Sequence, residues 1–170
     1  MPAAMSQVLI LPGWGGPRPG HWSSDWPGRH GYESLLQHDW QRPLRGDWLM
    51  VLEEAVLARS GPVVLAADGL ACHLVAAWAA HSAQVRQVRG ALLAEPLALE
   101  TELLRTRLPS WSSPVLEGLP FPCVVAAGPN TSRAWAQAWG ADHAADLLPQ
   151  ASRDPAWPEG HALLRKFFKD

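Results

Sequence analysis

The chain lacks most of what would tie it to a membrane, a nucleic acid or an oxidising compartment. No apolar run approaches the ~18 to 20 residues that span a bilayer. Lys and Arg (14) are slightly outnumbered by Asp and Glu (16), for a formal net charge of -2. Without a basic excess, nucleic acid and anionic membrane surfaces are poor partners. Only two cysteines occur, Cys72 and Cys123. Both lie in or beside apolar segments, so they read as buried free thiols of a reducing cytosol, not a disulfide framework. Residues 1–7 carry no Lys or Arg, so no secretory signal is expected and the expected location is cytoplasmic. Internal repeats, long low-complexity tracts and an interdomain linker are also lacking. What remains is 48% hydrophobic, which suffices for one sizeable core, and the expectation is a single domain over residues 1–170.

Ten tryptophans are present, four of them in the first 40 residues (Trp14, Trp22, Trp26, Trp40). They are not periodic. Two readings stay open: rings that fill the core of a small domain, or rings that mark a ligand or partner surface.

Apolar runs at 7–11, 63–67, 90–94 and 121–127 read as buried strands. A short strand is expected at 33–37 and an edge strand at 143–148. Between them lie helical patterns at 22–28, from an Asp47 N-cap to about Ser60-Gly61, at 70–80 and at 132–139. A terminal helix at 159–168 has Pro158 at its first position. Strands that alternate with helices predict an α/β fold, a mostly parallel twisted sheet with helices on both faces. Sites in such folds lie beyond the carboxyl ends of the strands. That directs attention to 12–20, 68–72, 95–99, 128–132 and 149–154. Residues 99–120, with Arg105, Arg107, Trp111, three serines and three prolines, occupy the position of a cap or lid.

The segment Pro62-Val63-Val64-Leu65-Ala66-Ala67-Asp68-Gly69-Leu70-Ala71-Cys72 runs from a buried strand through a tight turn into a helix. A nucleophile elbow has this layout, with small residues on either side of a raised nucleophile. Ala67 and Ala71 are the small flanks. The middle position is Gly69, which has no side chain.

Several blocks carry a resemblance: Leu11-Pro12-Gly13-Trp14-Gly15-Gly16, Gly20-His21-Trp22, Trp26, His38-Asp39-Trp40, Arg42-Pro43, Asp47-Trp48, 63–72, 90–96, Ala138-Trp139-Gly140-Ala141 and Trp157-Pro158-Glu159-Gly160. In order and spacing the chain resembles the small single-domain α/β-hydrolases similar to retinoblastoma-binding protein nine. The resemblance implies a reduced α/β-hydrolase fold and a Ser, Asp, His triad in that chain order. Gly69 stands at the implied serine. The stretch implied to hold the acid, 127–132, has no Asp or Glu. The stretch implied to hold the base, 148–153, has no His. All three stations are vacant in this sequence.

The leading expectation is therefore a catalytically degenerate hydrolase, a small-molecule-binding or protein-interaction module. No catalytic residue is expected at the elbow, Gly69 being flanked by Asp68 and Leu70. The expected binding residues are Gly13, Trp14, Gly15, Gly16, His21, Asp68, Gly69 and Leu70. The glycine loop would present backbone N–H groups as an oxyanion hole does, or serve only as a tight turn. The expected partner is a small acyl or carboxylate ligand, or a protein; no metal or cofactor is expected. The alternative is a working esterase or hydrolase with relocated catalytic groups. Asp68 is the candidate aspartate nucleophile, otherwise a cap or surface group. Cys72 is expected to point inward, and His73 not to face it. His161 is expected on the surface, His21 packed in its loop, His38-Asp39 without a third metal ligand, and Asp142-His143 solvated.

Overall fold

The computed structural model describes residues 7–127, 133–145 and 154–168. Six strands form one parallel sheet: β1 (Gln7–Leu11), β2 (Glu33–Ser34), β3 (Val63–Asp68), β4 (Val88–Ala94), β5 (Cys123–Ala127) and β6 (Asp142–Ala145), in the order β2-β1-β3-β4-β5-β6. The strands are apolar along their length because both faces are covered. Leu9, Leu11, Val63, Leu65, Ala67, Leu93 and Val125 point to one face. Val8, Ile10, Val64, Ala66, Leu92 and Val124 point to the other.

Helices α2 (Arg45–Leu57), α3 (Leu70–His81) and α5 (Arg133–Trp139) cover the first face. Helices α1 (Trp22–His30) and α6 (Pro158–Arg165) cover the second, where Trp22, Trp26 and Trp157 pack ring to ring. The core-filling reading holds for eight of the ten tryptophans, which are buried; Trp14 and Trp40 are half-buried. Pro158 opens α6 as its pattern predicts.

Some boundaries differ from expectation. Helix α2 begins before Asp47, which sits in its first turn; the N-cap is Leu44. Leu44 offers no side-chain acceptor, and the Arg45 N–H instead donates to Ser110 Oγ at 3.1 Å. β2 is cut to two residues. The edge strand β6 runs over Asp142–Ala145, and the expected 146–148 lies outside the described residues.

Residues 99–120 contain the short helix α4 (Glu102–Arg107) and a 3₁₀ turn at Pro109–Trp111. Trp111 is buried, its Nε1–H donates to the Pro43 carbonyl at 3.0 Å, and its ring meets Trp48 edge-on at 5.5 Å. The segment is pinned to the body by that ring. No described helix is long and apolar enough to cross a membrane.

Candidate functional site

The strand order reverses around β1, so the chain leaves β1 and β3 in diverging directions. In open parallel sheets a crevice forms at that point beyond the strand ends. Here it is a cavity of about 340 Å³ lined by Trp14, Arg18, Asp68, Gly69, Leu70, Glu95, Pro96, Leu97 and Ala98.

Gly69 forms its floor. It joins β3 to α3 at φ 57°, ψ -114°, a region almost closed to residues with a Cβ and reached by others only under strain. The turn is clamped: the Gly69 N–H donates to the Ala94 carbonyl at 2.9 Å, and the Gly69 carbonyl accepts from Cys72 N–H at 3.2 Å. A Cβ placed on Gly69 would meet nothing within 4 Å. Directly after it, α3 starts with the free N–H groups that every helix start leaves. Across the cavity, Glu95 holds a positive φ of 50°, and its N–H donates to Ala126 at 2.8 Å.

The first loop is a mixed result. Of the eight expected binding residues, Trp14, Asp68, Gly69 and Leu70 line the cavity, whereas Gly13, Gly15, Gly16 and His21 do not. The Gly15 N–H is spent on the Trp40 carbonyl and the Gly16 N–H on the Gly13 carbonyl, both at 3.0 Å. The first ties the loop to the Trp40 segment and the second closes a turn, so neither serves an oxyanion. Gly13 backs the site instead, since a Cβ there would lie 2.5 Å from the Asp68 carbonyl oxygen. Arg107 of α4 caps the Trp14 ring at 5.5 Å.

Asp68 is neither a helix cap nor a surface group. Its side chain is 13% exposed, with Oδ2 3.6 Å from the Arg18 guanidinium and Oδ1 3.8 Å from His21 Nε2. Burial pushes its carboxyl up to about 6; Arg18 opposes the rise and Glu95 adds to it. Burial first, then Arg18, lowers His21 to about 4. His21 is therefore neutral at pH 7, and its 3.8 Å approach to Asp68 is neither an ion pair nor a hydrogen bond.

His21 is also the N-cap of α1. Its Nδ1 accepts from the Ser23 N–H at 3.2 Å and pairs with Ser23 Oγ at 2.7 Å. A serine oxygen and an imidazole thus touch near the sheet end, with a carboxylate beyond. Ser23 is 2% exposed and does not line the cavity. Sequence reasoning did not single out Ser23, nor Arg18 and Glu95. Arg18 is the one Lys, Arg, Asp or Glu of the β1–α1 loop and Glu95 is the charged residue directly at the end of β4, and that was the available signal.

The remaining candidates sort quickly. Cys72 is buried, pointing at the Ala67 and Ala94 carbonyls, and burial holds its thiol well above the usual range. Such a thiol is inert. His73 is buried and pairs through Nε2 with the Leu97 carbonyl at 2.7 Å, bracing the cavity wall. His161 is not a free surface histidine: its ring stacks on His30 at 3.8 Å and its Nε2 pairs with the Tyr32 hydroxyl at 2.6 Å. The cause is the docking of α6 on α1, which the sequence alone does not reveal. Asp39 caps its own turn through the N–H groups of Gln41 and Arg42, and the described residues contain no cluster able to hold a metal ion. Asp142 is exposed, as expected, whereas the His143 side chain lies outside the described residues. The implied acid and base stretches, 128–132 and 148–153, also lie outside them.

Solved structures share this architecture. A YdeN-like hydrolase from Pectobacterium atrosepticum aligns with a TM-score of 0.79 at 18% identity, covering 96% of this chain and 90% of its own. The ydeN gene product of B. subtilis gives 0.73 at 17%, covering 97% and 100%. Brefeldin A esterase, a bacterial homologue of human hormone sensitive lipase, gives 0.58 at 16%, covering 98% and 68%. At these identities the likeness is one of fold, the α/β-hydrolase fold. No curated protein matches the sequence. The family model for serine hydrolases matches residues 8–166, and by that match the chain belongs to the serine hydrolase family.

Proposed function

We propose that this chain is a serine-hydrolase-family member that no longer forms an acyl-enzyme and instead binds a small acyl compound in the cavity over Gly69. The observation that carries the reading is the Gly69 backbone: it holds the raised turn of an elbow at the cavity floor and offers no nucleophile there. Acyl transfer needs a nucleophile, a base in hydrogen-bond reach and a group that orients the base. Among the described residues no serine, threonine or cysteine lines the cavity. The N–H groups at the start of α3 remain as donors for a carbonyl oxygen. An uncharged carbonyl suits the cavity better than a free carboxylate, because among its described lining residues Asp68 and Glu95 are acidic and Arg18 alone is basic. The reading is tested by incubation with a fluorophosphonate probe and by thermal melting with p-nitroacetanilide. The expected result is no covalent label and a saturable rise in Tm. Stoichiometric labelling would overturn it.

A second reading, a working hydrolase with relocated groups, draws on one observation: the Ser23 Oγ to His21 Nδ1 contact with Asp68 beyond. Against it stand the burial of Ser23 and its place in the α1 cap, where the hydrogen bond fixes a helix start. Labelling that disappears in Ser23→Ala would favour this reading over the first.

A further inference from the structure

A Cβ on Gly69 would meet no described residue within 4 Å beyond its chain neighbours, and Gly69 lines the cavity. Two kinds of group border it. Helix α3 starts beside it; the Cys72 N–H is spent on the Gly69 carbonyl, and the other N–H groups of the first turn have no intrahelical acceptor. Asp68, the residue before Gly69, lines the same cavity. Its carboxyl is largely buried: Arg18 pairs with it at 3.6 Å, the neutral His21 ring lies 3.8 Å away, and the Gly13 backbone packs behind it. Glu95 faces it from the β4 end, and Cys72 lies beneath it in α3.

We infer that Asp68 is a general base for water: the cavity binds an activated ester or thioester and hydrolyses it by direct attack of a water seated over Gly69, without a covalent intermediate. This rests on the cavity being the acyl-binding site. The water oxygen forms a bond to the acyl carbon while its proton passes to an Asp68 carboxylate oxygen. The carbonyl π pair moves to the oxygen, which the α3 N–H groups stabilise. Collapse of the adduct breaks the bond to the alcohol or thiol, and the leaving group takes the proton back from Asp68. Acid and alcohol (or thiol) leave, and the enzyme returns unchanged. The missing serine side chain is what makes room for the water.

The probe is p-nitrophenyl acetate, with p-nitroacetanilide as its slow analogue. Nitrophenolate release is expected to be linear from the first turnover, with no burst. Its rate is expected to rise with pH through about 6, following ionisation of Asp68. Asp68→Asn is expected to lower the rate about 10²-fold, the usual contribution of a positioned base, while the Tm rise with p-nitroacetanilide persists. Gly69→Ala, which fills the water's place, is expected to lower turnover and keep binding. A single turnover in ¹⁸O-water with enzyme in excess is expected to put the label in acetate and none in the protein. Label in the Asp68 carboxyl would overturn the inference in favour of an aspartate nucleophile. A burst, or an Asp68→Asn rate equal to the parent's, would also overturn it. Saturable stabilisation without turnover defeats the water-attack inference alone; absence of both stabilisation and turnover defeats it together with the binding function.

Discussion

Two glycine turns meet at the carboxyl end of the sheet, and they use glycine for opposite reasons. In the β1–α1 loop the neighbours leave no room. A Cβ on Gly13 would sit 2.5 Å from the Asp68 carbonyl oxygen, and one on Gly16 would sit 2.9 Å from the Trp40 ring. At Gly69 the neighbours leave space and only the backbone angle resists a side chain. Packing therefore explains the first loop, but not the bare apex of the second. At Gly69 the one feature that calls for glycine is the positive φ.

Substitutions can break this contrast. The largest expected effect is Gly13→Ala, because backbone must move to relieve the clash: a loss on the order of 3 kcal/mol in urea unfolding. Gly16→Ala is expected to cost about 2 kcal/mol, since its φ of 80° adds strain but the half-buried Trp40 ring can shift. A cost at Gly16 exceeding that at Gly13 would show that strain, not space, governs the loop.

Asp68 sharpens the comparison because it touches both turns. Its folded carboxyl titrates near 6 against 3.8 in the free group, so the folded state holds this proton more tightly than the unfolded one. Its penalty is absent below pH 4, grows between pH 4 and 6, and stays constant above. Asp68→Asn is expected to be more stable than the parent at pH 8, by on the order of 2 kcal/mol, and equal to it at pH 4. Urea melts at the two pH values check this. His73, lowered to about 4 by burial, acts with the opposite sign: its contribution is full above pH 6.5 and is lost as pH falls toward 4. It is common to both proteins and cancels in the difference.

The smallest effect is expected at Gly69→Ala, about 1 kcal/mol from backbone strain alone. A cost as large as at Gly13 would mean that the apex is glycine for steric reasons and would erase the contrast. Gly69→Ser is expected to match Gly69→Ala in stability, since both add a Cβ at the same strained φ.

The alternation of apolar runs with helical patterns made the strands and helices legible, and the strand–small–helix pattern at 63–72 made the tight turn from β3 through Gly69 into α3 legible. These are local signals. What stayed hidden depends on pairing across the chain. The start of α2 takes its acceptor from Ser110, so the nearby Asp47 misled. Arg18 and Asp68 look unrelated until β1 and β3 lie side by side. His161 became a stacking partner of His30 only because α6 docks on α1. Residues 99–120 carry the polar, proline-rich composition of a lid, yet buried Leu99, Leu108 and Trp111 and the hydrogen bonds of Trp139 with Val115 and Leu119 seat them. The spent N–H groups of Gly15 and Gly16 were invisible for the same reason: a glycine-rich loop reads alike whether its donors face a ligand or a neighbouring carbonyl.

The tryptophan cluster beneath the sheet has a consequence for the order in which the molecule assembles. Trp26 donates its indole N–H to the Ala156 carbonyl at 2.8 Å and packs on Trp157, so two segments 130 residues apart in sequence must meet. Closing so long a loop is entropically slow and comes after local structure has formed. On a ribosome, α1 is made well before Ala156 and Trp157, so its aromatic underside stays uncovered until they follow.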